Sequence, residues 1–281
     1  MKRVWLCRGR EIDLSSPVIM GIVNVTPDSF SDGGKYYDPQ RAIEHGFRLL
    51  EDGASILDAG GESTRPGAPE VSTEEELERV IPVIEALADA GAAVSVDTSK
   101  AEVMRQAAEA GAIIINDVYA LRQKGSLQTA AESGCGVCLM HMQGVPRTMQ
   151  AAPSYQNLIE EVRLFLKERA DAALAAGIAA KSIVLDPGFG FGKTVGQNFE
   201  LLARTQDFLS LGYSLLYGMS RKSSLGAVTG KASASERVVS SVATHLLAAE
   251  RGASILRVHD AAEMREALLV YEAMKNYKEW K

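Results

Sequence analysis

Val18-Ile19-Met20-Gly21-Ile22-Val23-Asn24 is a short apolar run, dense in β-branched residues, that stops abruptly at a polar side chain. The pattern recurs. Ser55–Leu57 ends at Asp58, Ala93–Val96 at Asp97, Ala112–Ile115 at Asn116 and Gly136–Met140 at His141. Ser182–Leu185 then ends at Asp186, Ser214–Met219 at Ser220 and Ser254–Val258 at His259, making eight. Continuous rather than alternating apolar runs mark buried strands of a parallel sheet. Between them, Thr73–Ala90, Ala101–Ala110, Leu158–Ala176 and Ala234–Glu250 are amphipathic and read as helices. Gly53, Gly91, Gly111, Gly177 and Gly252 stand just before the next strand, where glycine supplies the left-handed helix cap. From Asn24 to His259 the steps average about 34 residues, near the roughly 30 per unit of an eight-unit barrel. The expectation is an α/β chain folded as a (β/α)8 TIM barrel. An open, doubly wound sheet would also hold eight such units, but no nucleotide-type glycine turn follows the first strand.

Residues 1–17 precede that first strand. Val4–Leu6 and Glu11–Leu14 flank a turn at Arg8-Gly9-Arg10 and read as a β-hairpin plugging the closed end of the barrel. No composition shift divides residues 18–281, so a single barrel domain is expected over the 281-residue chain. With 46% hydrophobic and 23% charged residues, the chain can bury a large core. Its net charge of −6 argues against nucleic acid or an anionic membrane as the main partner. Cys135 and Cys138 form a C-x-x-C, but within a strand such residues point to opposite faces, so they read as buried thiols. No apolar run reaches the roughly 18 residues of a membrane span. Met1-Lys2-Arg3-Val4-Trp5 lacks the apolar stretch of a signal peptide, so a cytoplasmic enzyme is expected.

In a barrel the C-terminal strand ends converge on one mouth. Those positions carry Asn24, Asp58, Asp97, Asn116, Asp117, His141, Asp186, Lys222, Arg257 and His259. Inward carboxyl and amide groups suit a flat heterocycle with several N–H donors, because a carboxylate accepts two parallel hydrogen bonds from such an edge. Lys222, Arg257 and His259 read as local positive charge for an anion. The loops 24–34 and 60–68 are long and rich in turn formers, as lids are. Asp186-Pro187-Gly188-Phe189-Gly190-Phe191-Gly192-Lys193 is one residue short of P-loop spacing, and reads as backbone closely approaching a ligand with Phe191 as an apolar wall. His45 and His245 sit inside helical patterns and read as structural. Asp58, His141 and His259 lie too far apart in sequence to argue for zinc.

Met20-Gly21-Ile22-Val23-Asn24-Val25-Thr26-Pro27-Asp28-Ser29-Phe30-Ser31-Asp32-Gly33-Gly34 resembles the first signature of the dihydropteroate synthases, and Leu57-Asp58-Ala59-Gly60-Gly61-Glu62-Ser63-Thr64-Arg65-Pro66-Gly67 the second. Ser95–Thr98, Ile115–Asp117, Met140–Gly144, Asp186–Lys193, Ser220–Ser223 and Arg257–Asp260 follow in that family's order, so the resemblance spans residues 4 to 275. It implies condensation of 6-hydroxymethyl-7,8-dihydropterin diphosphate with 4-aminobenzoate to 7,8-dihydropteroate and pyrophosphate in folate biosynthesis. It also implies a requirement for Mg2+, a homodimer and binding of sulfonamide analogues. By the same resemblance Asp97, Asn116, Asp186 and Lys222 read the pterin, Met140, Phe191 and Gly218 shape its slot, and Arg257 lies against it. Asn24 resembles the Mg2+ contact, and His259 and Arg65 the diphosphate contacts. Phe30, Thr64, Pro66 and Ser220 resemble the surroundings of the aminobenzoate, while Asp28 and Asp32 fall in the first loop. Ala59, Ser224 and Asp260-Ala261 depart slightly from the family's pattern. Two alternatives share the pterin-binding barrel: a methyltetrahydrofolate-dependent methyltransferase and a catalytically silent pterin-binding paralogue. The two lid signatures and the anion set Lys222, Arg257 and His259 speak against the methyltransferase, and the presence of Asn24, Phe30, Thr64, Arg65 and Pro66 against the paralogue.

Overall fold

A computed structural model of the chain describes residues 3–26, 38–63, 65, 67–146 and 148–279. Strands β1 (Val4–Cys7) and β2 (Arg10–Asp13) pair antiparallel with Trp5 opposite Ile12. The next eight strands close a barrel. They are β3 (Val18–Asn24), β4 (Ile56–Gly60), β5 (Val94–Asp97) and β6 (Ile114–Asp117), then β7 (Gly136–Met140), β8 (Ile183–Asp186), β9 (Ser214–Tyr217) and β10 (Ile255–Val258). All run parallel, and β10 closes onto β3 with Arg257 beside Met20.

Helices cover the outside of the barrel: α1 (Pro39–Glu51), α2 (Thr73–Asp89), α3 (Ala101–Glu109), α4 (Ser126–Ser133) and α5 (Leu158–Ala175). After β8 come α6 (Val195–Ala203) and α7 (Thr205–Leu209), then α8 (Ser223–Thr229), α9 (Val238–Glu250) and α10 (Ala261–Lys275). Their starts obey local chemistry. Ser72 caps α2 by accepting from the Glu75 amide, and Glu74, Glu75 and Glu76 fill the first turn, where the helix dipole favours negative charge. The glycines expected before strands, Gly53, Gly91, Gly111, Gly177 and Gly252, all stand at positive φ, from 83° to 106°.

Two strand boundaries differ from the sequence reading. The β4 strand continues through Asp58 to Gly60, so Asp58 lies inside the strand. The β9 strand stops at Tyr217, which leaves Met219 and Ser220 in the following loop. The segment 234–237 forms a 3-10 turn before α9 rather than part of that helix.

Alternation along each strand builds the interior. Met20, Ile56, Ile114, Cys138, Val184, Leu216 and Ile255 pack together in the lumen. Their neighbours Ile19, Leu57, Ile115, Leu139, Leu185, Leu215 and Leu256 face the helices instead. The lower end of the lumen is plugged by the hairpin, which contributes Trp5, Cys7, Ile12 and Leu14 to the same cluster. The Trp5 indole donates to the Ser182 carbonyl at 3.0 Å. Gly136 makes room for this plug: a Cβ there would lie 2.5 Å from the Cys7 sulfur and 2.8 Å from Trp5 Nε1. Cys138 faces the lumen and Cys135 the helices, and all three thiols are free and buried.

Trp5 is 1% exposed, and truncating a buried Trp costs about 3–5 kcal/mol. Trp5→Ala is expected to lower unfolding stability in urea by that amount. A loss below about 1 kcal/mol would contradict the hairpin's role as a plug.

Candidate active site

Because strand side chains alternate with a period of two, the residue two positions beyond each lumen hydrophobe faces the same interior one layer higher. Beyond Met20 and Ile22 stands Asn24. Beyond Ile56 stands Asp58, beyond Ile114 Asn116 and beyond Cys138 Met140. Beyond Val184 stands Asp186, beyond Leu216 Gly218 and beyond Ile255 Arg257, while Asp97 pairs with Asn116 in register. An apolar layer thus ends at a polar one, at the mouth.

Arg257 organises that layer. Its Nε lies 2.6 Å from Asp58 Oδ2, and its Nη2 lies 2.7 Å from Asp97 Oδ2. Asn116 Nδ2 donates to the same Asp58 oxygen at 2.9 Å. Asp58 Oδ1 is buried without a hydrogen-bond partner among the described residues, so the layer holds a spare acceptor. Burial pulls against the guanidinium charge, but Asp58 and Asp97 outweigh it and push the Arg257 pKa upward. The Asp97 pKa also rises, which for a carboxylate favours the neutral form. Burial pushes it up to about 7, and neighbouring carboxylates such as Asp58 add to the rise, while Arg257 opposes it.

Asp186 stands on the opposite side of the mouth. Its Oδ1 accepts from the Gly188 amide at 2.7 Å, and burial raises its pKa against the pull of that bond and of Lys222. Burial lowers Lys222 to about 7, against the attraction of Asp186. Its Nζ donates to the Phe189 carbonyl and sits 4.2 Å from the centre of the Phe191 ring. Met140 and Phe191 join Val118, Met142, Met149 and Tyr119 in one apolar cluster beside this group. A Cβ on Gly218 would meet the Arg257 stem at 3.7 Å, so the glycine borders the guanidinium as ordinary contact space.

Three readings of the mouth need correction. Asp117 and His141 are out of phase with Asn116 and Met140 by one residue, and so point away from the lumen. Asp117 instead accepts from the Tyr119 and Leu121 amides at 2.8 and 2.7 Å, pinning a turn in which Ala120 and Leu121 both have positive φ. His141 Nδ1 lies 2.9 Å from Lys193 Nζ, and its ring packs edge-on to Phe165. His259 stays near the mouth but not as a cation. Burial first, then Arg257 and Arg221, lowers its pKa to about 3, leaving a neutral ring that meets Ser220 Oγ at 2.9 Å. Positive charge at the mouth therefore rests on Arg257 and Lys222, with Arg65 near enough for its charge to be felt at His259.

Ser220 is buried against His259. Arg65 is exposed, its carbonyl accepting from the Ala68 amide. Phe30, Thr64 and Pro66, with Asp28 and Asp32, lie outside the described residues. Asp58 stands at a strand end in the sequence, but nothing there marks its pairing with Arg257. Lys193 closes the 186–193 motif without a role of its own in the sequence, and no local pattern marks Asn198, Lys100 or Glu76. Lys100 Nζ bridges Glu62, at 2.5 Å, and Glu76, while Glu62 Oε1 accepts from the Val71 amide, tying down the base of the second loop. Beside it a groove of about 650 Å3, lined by Glu62, Lys100, Tyr119, Lys124 and Val145 among others, meets the mouth at Asp97.

A barrel mouth presenting carboxylates, an amide and buried cations on one layer has the chemistry that suits a flat, N–H-rich ring carrying an anion. Residues 20–259 match the family described as pterin binding enzyme. The chain is 51% identical over 273 residues to the dihydropteroate synthase of Escherichia coli K12, covering 97% of this chain and 96% of that protein. The solved structure of Xanthomonas albilineans dihydropteroate synthase with 4-aminobenzoic acid superposes with a TM-score of 0.93 at 51% identity, covering 98% and 99% of the two chains. The structure of dihydropteroate synthase from Xanthomonas albilineans in complex with 7,8-dihydropteroate gives 0.89 at 49% identity, covering 97% and 99%. The chain belongs to the pterin-binding enzymes and, within them, to the dihydropteroate synthases, which are transferases of folate biosynthesis.

The titrations have a signed consequence. Below about pH 7 Asp97 gains a proton and loses its charge; above about pH 7 Lys222 loses its charge. If the pterin needs both charged forms, kcat/KM for the pterin substrate is bell-shaped, with its maximum near neutrality, because this ratio reports free-enzyme groups. Lys222→Met is expected to abolish the alkaline limb. An unchanged alkaline limb in that variant would assign it to another group.

Proposed function

We propose that this barrel, acting as one domain, condenses 6-hydroxymethyl-7,8-dihydropterin diphosphate with 4-aminobenzoate, with the lumen-top layer reading the pterin. The observation that carries this reading is the convergence of Asp97, Asn116, Asp186, Lys222 and Arg257 above a closed apolar layer. Asp97 and Asp186 are acceptors for ring and exocyclic N–H groups, Asn116 supplies both a donor and an acceptor, and Met140 and Phe191 give the ring an apolar slot. Arg257 lies along the ring with its charge toward the anion. Arg65 and Lys222 add positive charge, and neutral His259 offers a hydrogen bond. Ser220, with Phe30, Thr64 and Pro66 from the two loops, would border the aminobenzoate.

The donor chemistry fits Mg2+ carried largely by the substrate. Among the described residues no three or more His, Cys, Asp or Glu side chains gather as a metal cage, and Mg2+ commonly keeps waters and phosphate oxygens as ligands. Asn24 would hold the ion, which supplies charge neutralisation for the leaving diphosphate.

The chain's own residues account for the rest. The pterin ring stabilises positive charge on its exocyclic methylene carbon, so the C–O bond breaks ahead of attack. Arg257, Lys222 and Arg65 stabilise the departing oxygen electrostatically. The amine of 4-aminobenzoate, already neutral at pH 7, attacks that carbon without needing a strong base. Closure of the two loops would keep water from the cation.

We further infer a cytoplasmic homodimer. The exposed Val239 on α9 and Leu269, Val270 and Met274 on α10 support self-association through those helices. Among the described residues no helix is long and apolar enough to cross a membrane.

Incubating the purified protein with both substrates, with and without Mg2+, is expected to give dihydropteroate by mass only when the ion is present. Lys222→Ala should lower kcat/KM for the pterin substrate by roughly 100-fold or more, as loss of a buried charge partner does. Absence of product despite pterin binding would favour the methyltransferase or silent-paralogue reading. In 18O-water without aminobenzoate, label is expected in the carbinol of slowly formed hydroxymethyldihydropterin and not in the diphosphate. Labelled diphosphate would show P–O cleavage and overturn the mechanism.

A further inference from the structure

The segment 188–193 has every backbone carbonyl held by a side-chain donor. Lys193 Nζ donates to Gly188 at 2.9 Å and to Phe191 at 3.0 Å, and Lys222 Nζ donates to Phe189. Gln150 donates to Gly190 at 2.7 Å, Tyr155 to Gly192 at 2.8 Å, and Asn198 to Lys193 at 3.4 Å. The loop needs such holding, because Gly188, Gly190 and Gly192 all sit at positive φ, where glycine is conformationally free. A Cβ would lie 1.8 Å from the His141 carbonyl at Gly188 and 2.5 Å from the Gln143 carbonyl at Gly192, and at Gly190 it would push on the Lys222 side chain at 2.7 Å.

Lys193 is the only one of these donors that serves two carbonyls of the segment. It is 2% exposed, and its third partner is His141 Nδ1 at 2.9 Å. Three partners match the capacity of an amino group in either charge state. An ammonium donates to all three; a neutral amine donates to both carbonyls and accepts from an Nδ1–H of His141. The group has no free valence for a ligand, and Phe189 and Phe191, which position Lys222, lie on the span it ties.

We propose that Lys193 is a positioning residue for the pterin slot: it clamps the carbonyls of Gly188 and Phe191 against His141, and so fixes the Phe189 carbonyl and the Phe191 ring that hold Lys222. This rests on the assignment of Lys222 and Phe191 to the pterin. The clamp's own contacts are all with the 188–193 segment and His141. It lies under the wall of the pterin slot, and the residues assigned to the aminobenzoate come from other loops. Displacement of a substrate-holding group by about 1 Å can cost up to about 100-fold, so a detectable effect is expected from losing the clamp.

The test is a steady-state comparison of Lys193→Met, His141→Leu, His141→Asn and Lys222→Met with the unmodified enzyme, after circular dichroism has shown each to be folded. Lys193→Met is expected to raise KM for dihydropterin diphosphate roughly tenfold or more, while KM for 4-aminobenzoate at saturating pterin stays within about twofold. His141→Leu should raise the pterin KM. His141→Asn, whose amide reaches the Nδ1 position with either a donor or an acceptor, should restore it. An unchanged pterin KM in folded Lys193→Met, beside a raised one in Lys222→Met, overturns the clamp; an unchanged value in both overturns the slot assignment and the clamp with it. Equal rises in both KM values reduce Lys193 to general structural support. Should Lys193→Met fail to fold, the His141 pair decides, and equal kinetics for Leu and Asn overturn the proposal.

Discussion

The guanidinium of Arg257, set between Asp58 and Asp97, is the interaction on which the mouth of this barrel depends. Asp58 is fully buried and Asp97 nearly so, and two carboxylates that close in a poorly solvated lumen repel each other strongly. Arg257 gives each an opposite charge, and Asn116 supplies a further donor to Asp58. Removing one member of a buried ion pair typically costs about 3–5 kcal/mol, because the other charge is left uncompensated. Burial still holds Asp97 at a pKa near neutrality against the pull of Arg257, and Asp58 keeps an unused oxygen. A polar layer held this way has acceptors to spend on a ligand and a cation already in place beside them.

That layer exists only because the layer beneath it is dry and closed. The hairpin residues Trp5, Cys7, Ile12 and Leu14 fill the lower lumen, and Met20, Ile56, Ile114, Val184, Leu216 and Ile255 complete it. Two residues further along four of these strands the chemistry changes from Ile or Val to Asp, Asn or Arg. Period-two alternation is therefore both the packing rule of the core and the rule that delivers the functional groups to one level.

The barrel, its hairpin plug and the glycines that end its helices were legible in the sequence, because each follows from local pattern. The convergence of side chains on the mouth was legible where phase and strand end coincide, as at Asp97, Asn116, Asp186 and Arg257. Counting strand ends without counting phase brought in His141 and Asp117, each one residue off the lumen-facing set. The apolar partners two residues earlier, Cys138 for Met140 and Ile114 for Asn116, carried the information that separates them. Other features were beyond reach. The neutrality of His259 comes mainly from burial, with Arg257 two residues away and Arg221 brought in from 38 residues earlier, and the bond between Lys193 and His141 joins residues 52 apart. Of the three departures from the family pattern, two have visible roles. Ser224 accepts from Asn198, which in turn receives the Gly190 amide, and Asp260 pairs with Arg221. Ala59 faces the helices rather than the mouth.

The most direct measurement is a crystal structure of the protein with a bound dihydropterin. The account predicts the ring in the lumen mouth, its N–H edge within hydrogen-bond distance of Asp97, Asn116 and Asp186, Lys222 on the ring's polar edge and Arg257 along its face. A ring bound instead in the neighbouring groove between Lys100, Tyr119 and Val145, with the Arg257 pairs to Asp58 and Asp97 left facing an unused mouth, would contradict it.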